Sequence, residues 1–193
     1  MCIGICAIAT QRGSQRLYFK SGINSHSDIR EACQLKDDKP AEQVNLEAHL
    51  IKGSFYNPKN WKVVVDHEVG DIPQWFKDDQ AEIEGLFLEF LEAELKEAKA
   101  TKTYKGSLQF NWRTVPKGGL VLPTTMGGPL DLGGLTSAEG LVLPKEVGGW
   151  LDLSGLTSAE GLVLPTTVGG NLDLRGLSRK EREDIRKKGY RVV

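Results

Sequence analysis

The hydrophobic pattern changes character partway along the chain. After residue 119 it is strictly periodic. Leu120-Val121-Leu122, Leu141-Val142-Leu143 and Leu162-Val163-Leu164 each follow a glycine and precede a proline, at a spacing of 21 residues. Between them stand Leu130-Asp131-Leu132, Leu151-Asp152-Leu153 and Leu172-Asp173-Leu174, also 21 apart. A fixed period of this length predicts a solenoid in which each coil contacts only its neighbours. Side chains alternate across a strand, so each Leu-x-Leu places two leucines inward and its middle residue outward. The expectation is two parallel sheets, one showing solvent Asp131, Asp152 and Asp173, the other Val121, Val142 and Val163. The pairs Gly127-Gly128, Gly148-Gly149 and Gly169-Gly170 are expected to turn the chain through positive φ. Thr-Ser-Ala-Glu at 136–139 and 157–160 has capping-box spacing for one helical turn. Residues 106–110 look like the Leu-Asp-Leu strand one repeat early, displaced by one residue. At the other end a charged helix over 178–188, stopped by Gly189, leads to a final strand at 190–193, expected to join the valine sheet.

The first hundred residues follow another grammar. Strands are predicted over 2–10 and 16–20, joined by a turn at 11–14. A helix over 28–35 follows, capped by Ser25 or Ser27. Alternation of Val44, Leu46, Ala48 and Leu50 predicts a half-buried strand, and 61–65 another. The longest helix, 78–100, carries Ile83, Leu86, Phe87, Phe90, Leu91 and Leu95 on one face. The chain thus divides into an α+β domain at 1–104, in the order ββαββα, and a leucine-rich β-solenoid at 105–193 with a helix and strand as its cap.

Composition narrows the function classes. The formal net charge of −1 gives no global field favouring nucleic acid. No run of apolar residues is long enough to span a bilayer. The first ten residues lack the basic segment of a secretory signal. Three cysteines, an odd number without zinc-type spacing, read as reduced thiols in the cytoplasm.

The repeat, Leu-Asp-Leu-x-Gly-Leu-Thr-Ser-Ala-Glu-Gly-Leu-Val-Leu-Pro-x-x-Val-Gly-Gly-x, resembles the short irregular leucine-rich repeats of bacteria and their phages. These have 21-residue units with two strands per coil. The missing turn asparagine implies a flat solenoid rather than a curved horseshoe. Phe19-Lys20-Ser21, the stretch 24–29, Trp61 and Ile72-Pro73-Gln74-Trp75-Phe76 resemble a domain that accompanies such repeats in phage and bacterial proteins. The resemblance implies no activity for that domain, and points to an accessory or anti-defence role exercised by binding.

Candidate chemistry is sparse. Cys2 stands where N-terminal-nucleophile amidotransferases, which begin Met-Cys-Gly-Ile, carry their nucleophile. Here Ile3 replaces the glycine and the rest of that pattern is missing, so Cys2 reads as a small buried hydrophobe. Cys2 and Cys6 are spaced as a metal pair without further ligand motifs. His26 reads as part of a helix-capping region. Asp66-His67-Glu68 with Asp71 is the densest polar cluster, at a strand end near Trp61, and reads first as a solvated turn. The leading expectation is a binding module without catalytic residues, metal or cofactor, acting through a protein partner or a second copy. The alternative is a small-ligand site or active site in the N-terminal domain near His67, Asp66 and Trp61. The valine and aspartate ladders are the candidate binding faces.

Overall fold

The computed structural model describes residues 4–11, 15–23, 25–35, 42–66, 71–117 and 119–193. Cys2, His67 and Glu68 lie outside them. The N-terminal part holds β1 (Ile5–Thr10), β2 (Leu17–Tyr18), α1 (His26–Ala32), β3 (Gln43–Leu50), β4 (Gly53–Ser54), β5 (Trp61–Val65) and α2 (Gln74–Thr101). Four of these strands form an antiparallel sheet in the order β2-β1-β3-β5. The α+β class is the one the sequence predicts, and the order ββαββα holds except for the added short strand β4 between β3 and β5.

α2 begins four residues before its expected start, with Pro73 in extended conformation at the N-cap and Lys102 in the left-handed region closing it at φ 56°. Its buried stripe is Phe76, Ile83, Phe87, Leu91, Leu95 and Ala98. Leu86 is largely exposed and Phe90 only partly covered. The four-residue spacing of Ile83, Phe87, Leu91 and Leu95 makes the contact narrower than the six-residue face expected. β3 departs more: Asn45 and Glu47 are buried together with Val44, Leu46, Ala48 and Leu50. α2 packs on one face of the sheet, and α1 covers the other through Ile29 against Cys6 and Ile8.

The solenoid follows without a break. One parallel sheet stacks β7 (Leu108–Gln109), β10 (Leu130–Asp131), β12 (Leu151–Asp152) and β14 (Leu172–Asp173). Leu108 pairs with Leu130, confirming the displaced first rung. The second parallel sheet is not built from the Leu-Val-Leu segments. It stacks β6 (Thr103–Tyr104), β9 (Thr125–Met126), β11 (Glu146–Val147) and β13 (Thr167–Val168). The coil turns once more than expected. Gly119, Gly140 and Gly161, at φ 82°, 71° and 71°, lead into the Leu-Val-Leu segments, and the buried prolines Pro123, Pro144 and Pro165 lead out. Proline has no amide hydrogen, so it interrupts a ladder there. Only the first such segment is a strand: β8 (Leu120–Val121) pairs with β4 of the N-terminal part. Leu141 is buried while Leu143, Leu162 and Leu164 are only partly so. Leu130, Leu132, Leu151, Leu153, Leu172 and Leu174 are all fully buried.

The Gly-Gly pairs carry no positive φ. Glycine is needed for close approach: a Cβ on Gly148 would lie 2.3 Å from the carbonyl oxygen of Gly127 one coil back, and one on Gly169 would lie 2.1 Å from that of Gly148. The Thr-Ser-Ala-Glu segments do not form a helical turn. The Thr157 hydroxyl instead donates to the Thr136 carbonyl of the previous coil, and Thr136 to Arg113. The hydroxyls join coils rather than cap helices. Among the described residues, a complete capping box occurs only at Ser178 and Glu181, where α3 (Arg179–Arg186) starts.

The C-terminal segment corrects another expectation. Val192 bridges Leu172 in parallel, so the chain end extends the leucine–aspartate sheet, not the valine side. Val193 is one 21-residue period beyond Leu172, and α3 replaces the intervening part of a coil. A single apolar core runs from Ile5 and Phe55 through Tyr104 and Leu120 to Leu177 and Val192, joining the two parts of the chain.

Candidate functional site

Three places carry side chains with functional potential: two solenoid faces and the α1 side of the N-terminal sheet. The valines project as the alternation predicts. Val121, Val142 and Val163 are 50%, 70% and 76% exposed. Coil stacking sets them about 4.8 Å apart. Isolated exposed apolar residues are ordinary on proteins, whereas a contiguous row is not. The row has bulkier neighbours. The Tyr190 hydroxyl donates to the Pro165 carbonyl at 2.5 Å, beside the last Leu-Val-Leu segment. A groove lined by Thr114, Val115, Pro116, Ser137 and Glu139 opens next to Gly119 and Gly140, where the first two segments begin. Trp112 stacks on Phe110 at 4.7 Å in the entry segment.

On the other face, Asp131, Asp152 and Asp173 are half-buried, each with a specific job. Their carboxylates accept from the backbone amides two residues on: Gly133 at 2.9 Å, Ser154 at 2.7 Å and Arg175 at 3.1 Å. Aspartate closing a turn onto its own backbone is the chemistry that favours Asp and Asn there. This explains why the repeat keeps aspartate although stacked like charges repel. Arg175 adds an ion pair to Asp173 at 2.7 Å on the last coil.

Burial pushes the Asp131 carboxyl above the ordinary aspartate range, Asp152 adds to the rise, and the Gly133 amide opposes it. A folded-state value above the unfolded one means the native protein holds this proton more tightly. Stability from this group therefore falls as pH rises through the carboxylate range. Asp131→Asn keeps the acceptor for Gly133 and removes the charge. The expected result is a variant more stable than the parent at pH 7, the gap closing as pH falls from the raised folded value to the unfolded aspartate value and gone below it. Urea unfolding at several pH values measures it, and a less stable Asn variant at pH 7 would contradict the assignment.

The N-terminal candidates separate in space. Trp61 is buried on the α2 side of β5; its indole donates to the Phe55 carbonyl at 2.8 Å, and the rings meet edge to face at 5.3 Å. Asp66 continues β5, its amide bonded to the Asn45 carbonyl, and strand alternation puts it on the opposite, α1 side. There it meets His26, whose Nδ1 is 3.6 Å from the Asp66 carboxylate and whose Nε2 is 3.1 Å from the Leu46 carbonyl. His26 is thus a buried residue of the sheet face as well as the first residue of α1, with Ser25 as the N-cap. Glu47 lies directly across from Cys6 on the adjacent strand and contacts His49 Nε2 at 2.6 Å. Arg30 of α1 donates to Gln43 and Asn45 on the same sheet face. The sequence offers Cys6 as a metal ligand only beside Cys2; its grouping with Glu47 and His26 depends on long-range strand register and the seating of α1.

Fold and faces define a repeat solenoid fused to an α+β layer. The chain matches no protein-family model, and neither the curated proteins nor the solved structures compared with it match. No helix among the described residues is long and apolar enough to cross a membrane.

Proposed function

We propose that this protein is a protein–protein interaction module that uses the valine-bearing side of its solenoid. The observation that carries the reading is the row of three exposed valines, repeated once per coil and flanked by a groove and by Tyr190. The row spans roughly 10 Å, two coil steps. Binding energy must therefore be concentrated in a few contacts, with Tyr190 as the aromatic anchor. The likeness of the repeat to those of bacteria and phages supports an accessory or anti-defence role in the cytoplasm, exercised by binding a protein. The alternative reading, a small-ligand site beside Asp66 and Trp61, has less support, since Trp61 is buried on the α2 side of the sheet while Asp66 faces α1.

The test is Val121→Thr, Val142→Thr and Val163→Thr combined, which keeps β-branching and shape while making the row polar. Surface changes of this kind stay within about 0.5 kcal/mol each, so the variant is expected to fold like the parent. It is expected to lose captured partner, or self-association, by at least about tenfold, or 1.4 kcal/mol. Unchanged capture and unchanged oligomeric state would overturn the reading and shift attention to the aspartate face.

A further inference from the structure

The α1 side of the N-terminal sheet holds a group of side chains that the interaction surface does not use. Cys6 of β1, His26 of α1 and Glu47 of β3 are all buried, and one ligand atom from each lies within 4.8 Å of the other two. From this geometry we infer a divalent-metal site of the zinc class, formed by the Cys6 thiolate, the His26 imidazole and the Glu47 carboxylate.

The donor set fits such an ion. Sulfur, nitrogen and oxygen ligands together suit a borderline-soft cation, and zinc binds all three at about 2.0–2.3 Å. At a tetrahedral angle those bond lengths place ligand atoms about 3.3–3.6 Å apart. The three groups come from three different elements, so small side-chain rotations close the remaining distance without moving the sheet.

Two of the three ligands are held by partners of the kind metal sites use to orient them. A backbone carbonyl can only accept, so the contact of His26 Nε2 with the Leu46 carbonyl puts the proton on Nε2. Nδ1 is then the nitrogen that carries the lone pair in the neutral ring. It points toward Asp66, 3.6 Å away, which is also the separation of two ligands on one tetrahedral ion. Asp66 faces His26 from the end of β5 without belonging to the group of mutually close ligand atoms. Glu47 has its own orienting partner in His49, at 2.6 Å.

All three side chains are buried, so the site suits an ion that pins α1 to the sheet better than one that turns over a substrate. On binding, the Cys6 thiol, which points at the Gly4 carbonyl at 3.8 Å, gives its proton to solvent as the sulfur–metal bond forms. The inference stands apart from the valine surface, and either can fail alone.

The experiment loads the full chain, purified in reductant and chelator, with Co2+ and then competes with Zn2+. The expected result is one equivalent of Co2+ bound with a thiolate-to-cobalt charge-transfer band, lost on adding Zn2+. Zn2+ alone is expected to raise the melting temperature. Cys6→Ala should abolish the band and Cys33→Ser should leave it intact. Glu47→Gln, nearly the same size, should weaken Zn2+ stabilisation at least tenfold in required ion concentration while the variant stays folded. No charge-transfer band and no Zn2+-induced melting shift in the parent would overturn the site. So would a band that survives Cys6→Ala, or Zn2+ stabilisation undiminished in Glu47→Gln.

Discussion

Leu151→Ala is expected to destabilise the protein by about 2–5 kcal/mol, the usual range for a fully buried leucine that leaves a cavity. Leu151 sits in the middle of the leucine–aspartate sheet, paired with Leu130 on one side and Leu172 on the other, and is fully buried. In a solenoid each coil is stabilised by its neighbours alone, so a void in a central coil weakens both interfaces at once. For a chain of this length the loss corresponds to a drop in melting temperature on the order of 10 °C. Val142→Ala is the control: at 70% exposure it should change stability by less than about 0.5 kcal/mol. Urea unfolding of the two variants beside the parent measures both. A Leu151 variant within 1 kcal/mol of the parent would mean that the coils do not depend on this ladder.

Gly148→Ala is expected to cost nearly as much, about 3 kcal/mol or more, although it adds only a methyl group. That methyl would stand 2.3 Å from the Gly127 carbonyl oxygen and 3.0 Å from its carbon. Backbone, not a flexible side chain, is in the way. The coils must part, and the bond from the Gly148 amide to the Met126 carbonyl, now 2.8 Å, would stretch. Overpacking of this kind costs typically about 1–3 kcal/mol, and more where nothing can yield. Gly85→Ala, in the interior of α2 with nothing within 4 Å of its added Cβ, should do the opposite. Helix propensity predicts a gain of about 0.5–1 kcal/mol there. Thermal unfolding of both variants separates the two kinds of glycine. A Gly148 variant as stable as the parent would rule out close backbone approach as the reason for the Gly-Gly pairs.

The repeat made much of this fold legible, because its information is local and recurs. Leu130, Leu151 and Leu172 were placed inward, and the valines outward, by strand alternation alone. The second sheet was misplaced for a reason just as physical. Leu-Val-Leu has the stronger strand pattern, but a buried proline after it and a left-handed glycine before it make it a side of the coil without a ladder. The pairing falls instead on Thr125-Met126, Glu146-Val147 and Thr167-Val168, whose one apolar residue per rung is a weaker signal than Leu-Val-Leu. The aspartates were legible as outward and acidic; their backbone bonds two residues ahead required the turn geometry. The metal-ligand group was the least visible. Cys6 is visible in the sequence only as half of a Cys2–Cys6 pair, and Glu47 reads as an ordinary strand residue until β1 and β3 are set in register. His26 looked like a capping residue because its partner, the Leu46 carbonyl, belongs to a strand 20 positions away.

The claim that the valine side is the working surface is tested most directly by hydrogen exchange on the protein alone and in complex with its captured partner. The account predicts added protection concentrated at 140–144 and 161–165, with a smaller effect around Val121, whose strand is already paired with β4. Protection confined to the aspartate side, at 131–133, 152–154 and 173–175, or to the exposed surface of α2 around Leu86 and Leu88, would contradict it.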